Sequence, residues 1–218
     1  MITVPEVVES VIKKSLYLDE AMSRGIINLS ALARMIKPEV EKELMKTVQE
    51  GAITMALNRL AQKLAKNRRA KKRLFKNAPD LMVKSGLFEV TVANSDTLIP
   101  RIKKMLDEIH LRQNYFLTFT QGIFETTLVL SRNLKDKLLR LLHGEKIVSQ
   151  FENLSSLTVQ LPEGVALIPG AYSYLLKALA WEGINVVEVV STFNEFSVIL
   201  EDKDIGQGFA VIKQLLSS

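Results

Sequence analysis

The chain has 218 residues, 47% of them hydrophobic and 24% charged, with a net charge of +5 at neutral pH and no cysteine. That composition excludes a disordered chain, a collagen-like repeat and a disulfide scaffold, and the lack of thiols removes thiolate catalysis and cysteine zinc sites. Only two histidines, His110 and His143, are present, so no metal and no cofactor is expected. No apolar run approaches the ~18 residues of a membrane span and the N-terminus has no signal pattern, so a cytoplasmic protein without membrane contact is expected.

Residues 1–76 read as an all-helical domain. Val7, Val8, Val11, Ile12 and Leu16 recur at helix spacing, Pro5 suits a first helical turn, and Gly25 marks a stop. Asn28 caps a short helix to Ile36, and Pro38 opens another to about Met45. Thr47-Val48-Gln49-Glu50 has the capping-box pattern and starts the longest helix, whose apolar face is Ile53, Ala56, Leu57, Leu60, Ala61 and Leu64. Its polar face runs into a basic block, since residues 51–79 hold nine Lys or Arg and no acid. Three short helices before a basic one resemble a helix-turn-helix arrangement. In that reading Thr54, Asn58, Arg59 and Gln62 meet base edges, while Lys63, Lys66, Arg68 and Arg69 hold phosphates. The competing reading is a solvated helix end in a dimerising bundle.

From residue 80 the pattern is α+β. Residues 87–93 read as a strand, 97–111 as a helix with Ile99, Ile102, Met105, Leu106 and Ile109 inward, and 115–120 and 123–130 as strands joined at Gln121-Gly122. A helix at 133–142 and a strand at 147–151 complete a βαββαβ order. The order restarts with strand 157–161, helix 170–181, strands 186–190 and 195–200, and helix 204–216. Phe88 matches Leu157 and Leu128 matches Val198, an internal repeat of roughly 70 residues. The domains expected are therefore 1–76, 80–153 and 154–218, the last two being ferredoxin-like. Each copy predicts an antiparallel sheet with both helices on one face and the other face open to partners. The second copy lacks a fourth strand, for which Leu81-Met82-Val83 is the candidate.

Four features of residues 157–216 resemble the second ACT domain of aspartate kinases. Strand Leu157-Thr158-Val159-Gln160-Leu161 leads to the loop Gly164-Val165-Ala166-Leu167-Ile168-Pro169-Gly170, and helix end Ala178-Leu179-Ala180-Trp181-Glu182 to Gly183-Ile184-Asn185-Val186. Ser191-Thr192 precedes the third strand, and Glu201-Asp202-Lys203-Asp204 opens the last helix. The resemblance implies a small amino acid bound between ACT domains of a homodimer, at Ala166, Leu167, Ile168, Pro169, Gly170, Asn185 and Val186. The residues agree: Gly170 leaves the helix N-terminus open to a carboxylate, and Asn185 offers an amide. Without a ligand, both are plain turn formers. The first copy departs from the pattern, with Asn94-Ser95-Asp96-Thr97 as its loop and Leu111-Arg112-Gln113-Asn114 in place of Gly-Ile-Asn.

Nothing resembles the kinase opening Lys-Phe-Gly-Gly or a phosphate loop, and Gly206-Gln207-Gly208 reads as a packing feature. No triad or carboxylate pair is legible, so no enzyme is expected. Two functions remain. One is an amino-acid-sensing regulator whose helical domain binds DNA. The other is a stand-alone ACT subunit that binds an enzyme of amino-acid metabolism.

Overall fold

Glu6 starts the chain's first helix, because its carboxylate accepts both the backbone N–H and the hydroxyl of Thr3 at 2.8 Å. The computed structural model describes residues 2–15, 17–75, 80–109 and 115–217. It divides into two units, Met1–Leu74 and Phe75–Ser218.

The first unit holds α1 (Val4–Lys13), α2 (Leu18–Arg24), α3 (Leu29–Leu44) and α4 (Glu50–Phe75). Its core joins Val8 and Ile12 of α1, Leu32, Ala33, Ile36 and Val40 of α3, and Ile53 and Leu57 of α4. Gly25 ends α2 with φ 71°, the left-handed conformation glycine adopts without penalty. The break expected at Pro38 is absent: Asn28 caps one helix that runs through the proline to Leu44. Ile36 and Val40, both buried, flank Pro38 and pack into the same core, which holds the helix across the missing N–H. The cap of α4 also differs from expectation. Gln49 carbonyl accepts from Ala52 and Ile53, while the Val48 N–H goes to the Glu41 side chain at 2.9 Å, so Thr47 lies outside the helix start.

The second unit contains one antiparallel six-stranded sheet in the order β2-β3-β1-β4-β6-β5. Its strands are β1 (Leu81–Ala93), β2 (Leu117–Gln121), β3 (Glu125–Ser131), β4 (Ile147–Gln160), β5 (Glu188–Ser191) and β6 (Glu195–Glu201). Its helices are α5 (Leu98–Glu108), α6 (Lys135–Leu141), α7 (Ala171–Trp181) and α8 (Ile205–Ser217). Residues 147–151 and 157–161, expected as separate strands, belong to the single strand β4. Leu81, Met82 and Val83 pair with Val159, Thr158 and Leu157, so this run supplies the second copy's missing strand as an extension of β1. The shift of register between Lys84 and Leu87, with Gly86 at φ 73°, is the bend between the parts of β1 that serve each copy. Asn153, at φ 55°, makes the matching bend in β4.

The register refines the repeat. Val90 pairs with Leu128 as Leu157 pairs with Val198, so Val90, two residues from Phe88, is the counterpart of Leu157 once Leu128 is matched to Val198. A two-residue slip keeps every side chain on its face, which is why alternation alone did not expose it. Phe88, Val90, Leu128 and Leu130 pack on Leu98, Ile102 and Met105 of α5 and Leu138 of α6. Ile99 and Leu106, expected inward, are exposed, and Leu98 fills the place intended for Ile99. In the second copy Tyr172 of α7 stacks on Phe196 at 4.9 Å, and Gly208 lets α8 approach Leu200 and Leu157.

The face away from the helices is not open throughout. Leu87, Val129, Leu154 and Ile199 form a buried cluster at its middle, with Phe116 and Val187 packed against it.

Candidate functional site

In the second copy, β4 leads through Gly164, at φ 81°, into a short 3-10 turn, Val165–Leu167, and then to α7. Val165 is fully buried and anchors the turn, whereas Leu167 is 77% exposed. The loop is held by its own backbone, with Leu167 N–H on Gly164 O and Ala171 N–H on Ile168 O. Gly170 takes the left-handed conformation, φ 74°, at the N-cap of α7, and Pro169 and Gly170 are exposed. A side chain would be strained there, so glycine fits the geometry as the sequence suggested. Ala166 lies within the 3-10 turn and Ile168 is half-buried.

At the other end of α7 a glycine C-cap closes the helix, with Ile184 N–H on Leu179 O and Gly183 N–H on Ala180 O. Ile184 is buried by that turn, leaving Asn185 exposed and Val186 half-buried. The 11 residues of α7 separate the two halves of the expected site. At 1.5 Å per residue that is ~16 Å, farther than the head group of a small amino acid can bridge. Within one copy Gly170 and Asn185 are therefore not brought together.

The corresponding loop of the first copy is occupied by the chain itself. Glu145, from the turn before β4, accepts the Ser95 hydroxyl on one carboxylate oxygen and the Thr97 hydroxyl on the other, each at 2.6 Å. Arg101 Nε of α5 lies 2.9 Å from the same carboxylate. These hydroxyls, and then the Arg101 charge, hold the Glu145 carboxyl below the usual carboxylate range. A carboxylate thus sits at the start of α5, where the helix dipole favours an anion. The sequence reading missed Glu145, which lies 50 residues from Ser95 and belongs to no motif. Residues 111–114, the first copy's turn, and His110 lie outside the described residues, and His143 is exposed beyond α6.

On α4, Asn58, Arg59, Gln62, Lys63, Lys66, Arg68 and Arg69 are exposed and Thr54 is half-buried. Thr54 hydroxyl donates to Glu50 O and Asn58 amide to Thr54 O, so both turn partly back onto the helix. Lys63 lies 3.1 Å from both carboxylate oxygens of Glu9, which ties α4 to α1. Of the remaining block, the side chains of Lys71, Lys72 and Arg73, and Lys76 entirely, lie outside the described residues.

Two polar groups on the face away from the helices also stand out. Glu89 is 4% exposed and Ser156 1% exposed, and Glu89 Oε2 and Ser156 Oγ have no hydrogen-bond partner. Burial, with the Glu188 charge added, pushes the Glu89 carboxyl up to about 7. Among the described residues no cluster of His, Asp and Glu has the makings of a metal site, and no helix is long and apolar enough to cross a membrane.

No protein-family model matches the chain. No curated protein matches it significantly. Solved structures do share its fold. One is the crystal structure of aspartokinase alpha and beta subunits, at 14% identity and TM-score 0.53 over 65% of this chain and 99% of that one. The ligand-free regulatory subunit of aspartate kinase from Thermus thermophilus matches at 12% identity and TM-score 0.51, over 62% of this chain and 95% of that one. Aspartate kinase from Clostridium acetobutylicum matches at 15% identity and TM-score 0.52 over the same 62%, but only 34% of its own chain. The fold thus resembles regulatory subunits of aspartate kinases, as the residue motifs imply.

Proposed function

We propose that the chain is a non-catalytic regulatory protein that senses a small amino acid through the second copy of its sheet unit. The observation that carries this reading is the Glu145 carboxylate in the first copy's loop. There a carboxylate is held at a helix start by two hydroxyls and a cation. The matching loop of the second copy ends in an exposed Gly170 and offers its helix start to a carboxylate from outside.

In this reading Ala166, Leu167, Ile168, Pro169 and Gly170 cradle the carboxylate end of the effector. Asn185 and Val186 take the remainder from a second copy of the chain, because α7 holds them too far from Gly170 in their own. Homodimerisation through the sheet units is therefore part of the site. The output is the helical unit. Thr54, Asn58, Arg59, Gln62, Lys63, Lys66, Arg68 and Arg69 form its DNA-binding face, supported by the nine bases of residues 51–79. A second reading is favoured by the likeness to regulatory subunits that are separate chains: a stand-alone subunit that docks on an enzyme of amino-acid metabolism and leaves DNA alone.

A thermal-shift screen of the proteinogenic amino acids on the wild type and on Gly170→Asp tests the sensor. A ligand at a hundredfold excess over its Kd adds ~2.7 kcal/mol to the folded state, well within reach of the assay. An effector that stabilises the wild type and not the variant is expected, and a screen with no response sinks the reading. Binding of a mixed-sequence duplex at about 50 mM salt separates the two outputs, since non-specific DNA binding is strong there and falls steeply with salt.

A further inference from the structure

If Gly170 of one chain meets Asn185 of a second, as the effector reading above requires, the twofold of an isologous pair also brings Asn185 of the first to Gly170 of the second. Both meetings occur at once when the two copies of α7 lie side by side and antiparallel, since each helix start then faces the other's end. The helix has a free side for such a neighbour. Ala171, Leu175 and Leu179 are buried, and on the opposite side Ser173, Lys177, Ala180 and Trp181 form an exposed stripe. Ser173 and Ala180 are small enough to let a second helix approach closely.

Antiparallel pairing also covers two apolar side chains that their own chain leaves in water. Leu167, just before Gly170, is 77% exposed, and Trp181, just before the Gly183 turn and Asn185, is 81% exposed. They stand at opposite ends of α7, which holds them apart within one chain. Exchange of the ends sets Trp181 of one chain beside Leu167 of the other, twice in the pair. An indole offers roughly 150–250 Å² of surface to bury, and tryptophan is enriched at the energetic centres of interfaces.

The fold does not require an indole there. Aligning the buried Leu98 and Ile102 of α5 with the buried Ala171 and Leu175 of α7 puts Glu108 of the first copy at the position of Trp181. The copy whose loop is filled by Glu145 has an acid at that position, and the copy whose loop is open has the chain's one tryptophan. We infer that the partner's Trp181 closes the effector cradle: α7 pairs antiparallel with α7 of a second copy, and the indole of each chain packs on Leu167 of the other.

The chain has no cysteine, so single cysteines placed in the full chain report contacts without interference. Leu167→Cys and Trp181→Cys, both at exposed positions, are mixed in equal amounts and treated with a short bis-maleimide, with no effector present. A cross-linked dimer from the mixture and none from either variant alone is expected, because like positions lie at opposite ends of the pair and the mixed dimer keeps one native Trp181–Leu167 contact. Trp181 emission gives a second reading. It should lie to the blue in the wild-type dimer and move to the red in Leu167→Glu, with dissociation to monomers on sedimentation. A monomeric wild type, a cross-link from Trp181→Cys alone, or the emission of a water-exposed indole in the dimer overturns the assignment. A thermal-shift response to an amino acid without the cross-link removes Trp181 from the site and leaves the sensor reading standing, whereas the cross-link without any response upholds the α7 pairing and sinks the effector.

Discussion

Leu87 and Leu154 face each other across the β1–β4 ladder, both wholly buried, and each stands where the other stands when the two copies are exchanged. The pair thus marks the centre of the sheet unit, and both copies depend on it. Leu87→Ala and Leu154→Ala should each cost about 2–5 kcal/mol, the range for emptying a packed leucine site. Calorimetry should show one transition for the sheet unit in either variant. A variant in which one copy melts ahead of the other would contradict a shared core.

Glu89 makes stability fall with rising pH. Burial first, and the Glu188 charge second, raise its carboxyl from 4.5 to about 7 in the folded protein. The folded state therefore keeps a proton that the unfolded chain releases above 4.5, and the stability present below that value is lost as pH rises towards 7. Glu89→Gln should remove this slope and gain about 2 kcal/mol above neutrality, after allowance for solvent screening. Urea denaturation at several pH values reads the difference.

Glu145 acts in the opposite sense. Its carboxyl is held low by the Ser95 and Thr97 hydroxyls and by Arg101, so its contribution is present above the ordinary carboxylate range and lost as pH falls below that range through the lowered folded value. Glu145→Ala should cost about 1–2 kcal/mol at neutral pH, and little in acid. If the first-copy loop is a filled version of the cradle, acetate should partly restore the variant's melting temperature. Restoration by chloride to the same extent would remove that parallel.

Gly208 is where α8 meets the sheet. A Cβ there would lie 2.7 Å from Leu200 Cδ1, with Leu179 and Leu157 closing the other sides. Gly208→Ala should destabilise by about 1–3 kcal/mol despite alanine's better helix propensity. Gly206, with nothing near its would-be Cβ, should accept alanine with a small gain in stability. Equal effects at the two sites would mean that close packing is not the reason for Gly208.

If the helical unit binds DNA as proposed, the salt dependence of that binding reports phosphate contacts directly. Lys66→Ala, Arg68→Ala and Arg69→Ala should each lower the slope of log K against log salt by about 0.9 for every phosphate lost. Lys63→Ala should change it less, because Lys63 is already paired with Glu9. Slopes indifferent to all four substitutions would favour the enzyme-docking output.

Much of the fold is legible in local pattern. The helix-period residues of α1 and α4, the alternation in β3 and β6, and the Gly25 stop all follow from short-range stereochemistry, and they stand where that chemistry puts them. Pro38 shows the limit, since local rules break the helix and the packing of Ile36 and Val40 carries it through. Of the residues proposed for the effector site and its surroundings, Gly170 and the Gly183 turn are legible because each needs a left-handed backbone. The separation of Gly170 from Asn185 is a matter of helix length in space, and motif spacing does not carry it.

From its sequence alone, this protein is a helical unit joined to a duplicated α+β unit, with a basic face on its longest helix and a glycine-bearing loop before the first helix of the second copy. Periodicity, charge and glycine are properties of neighbouring residues, and neighbouring residues suffice to reveal them. Tertiary structure alone decided that the two copies share one sheet, that Glu145 fills one loop, and that Glu89 is buried with one carboxylate oxygen left unpaired. Each of these depends on which distant backbone or side chain arrives at a place. Backbone hydrogen bonds are indifferent to residue identity, so the choice of partner is made by the packing of the whole unit.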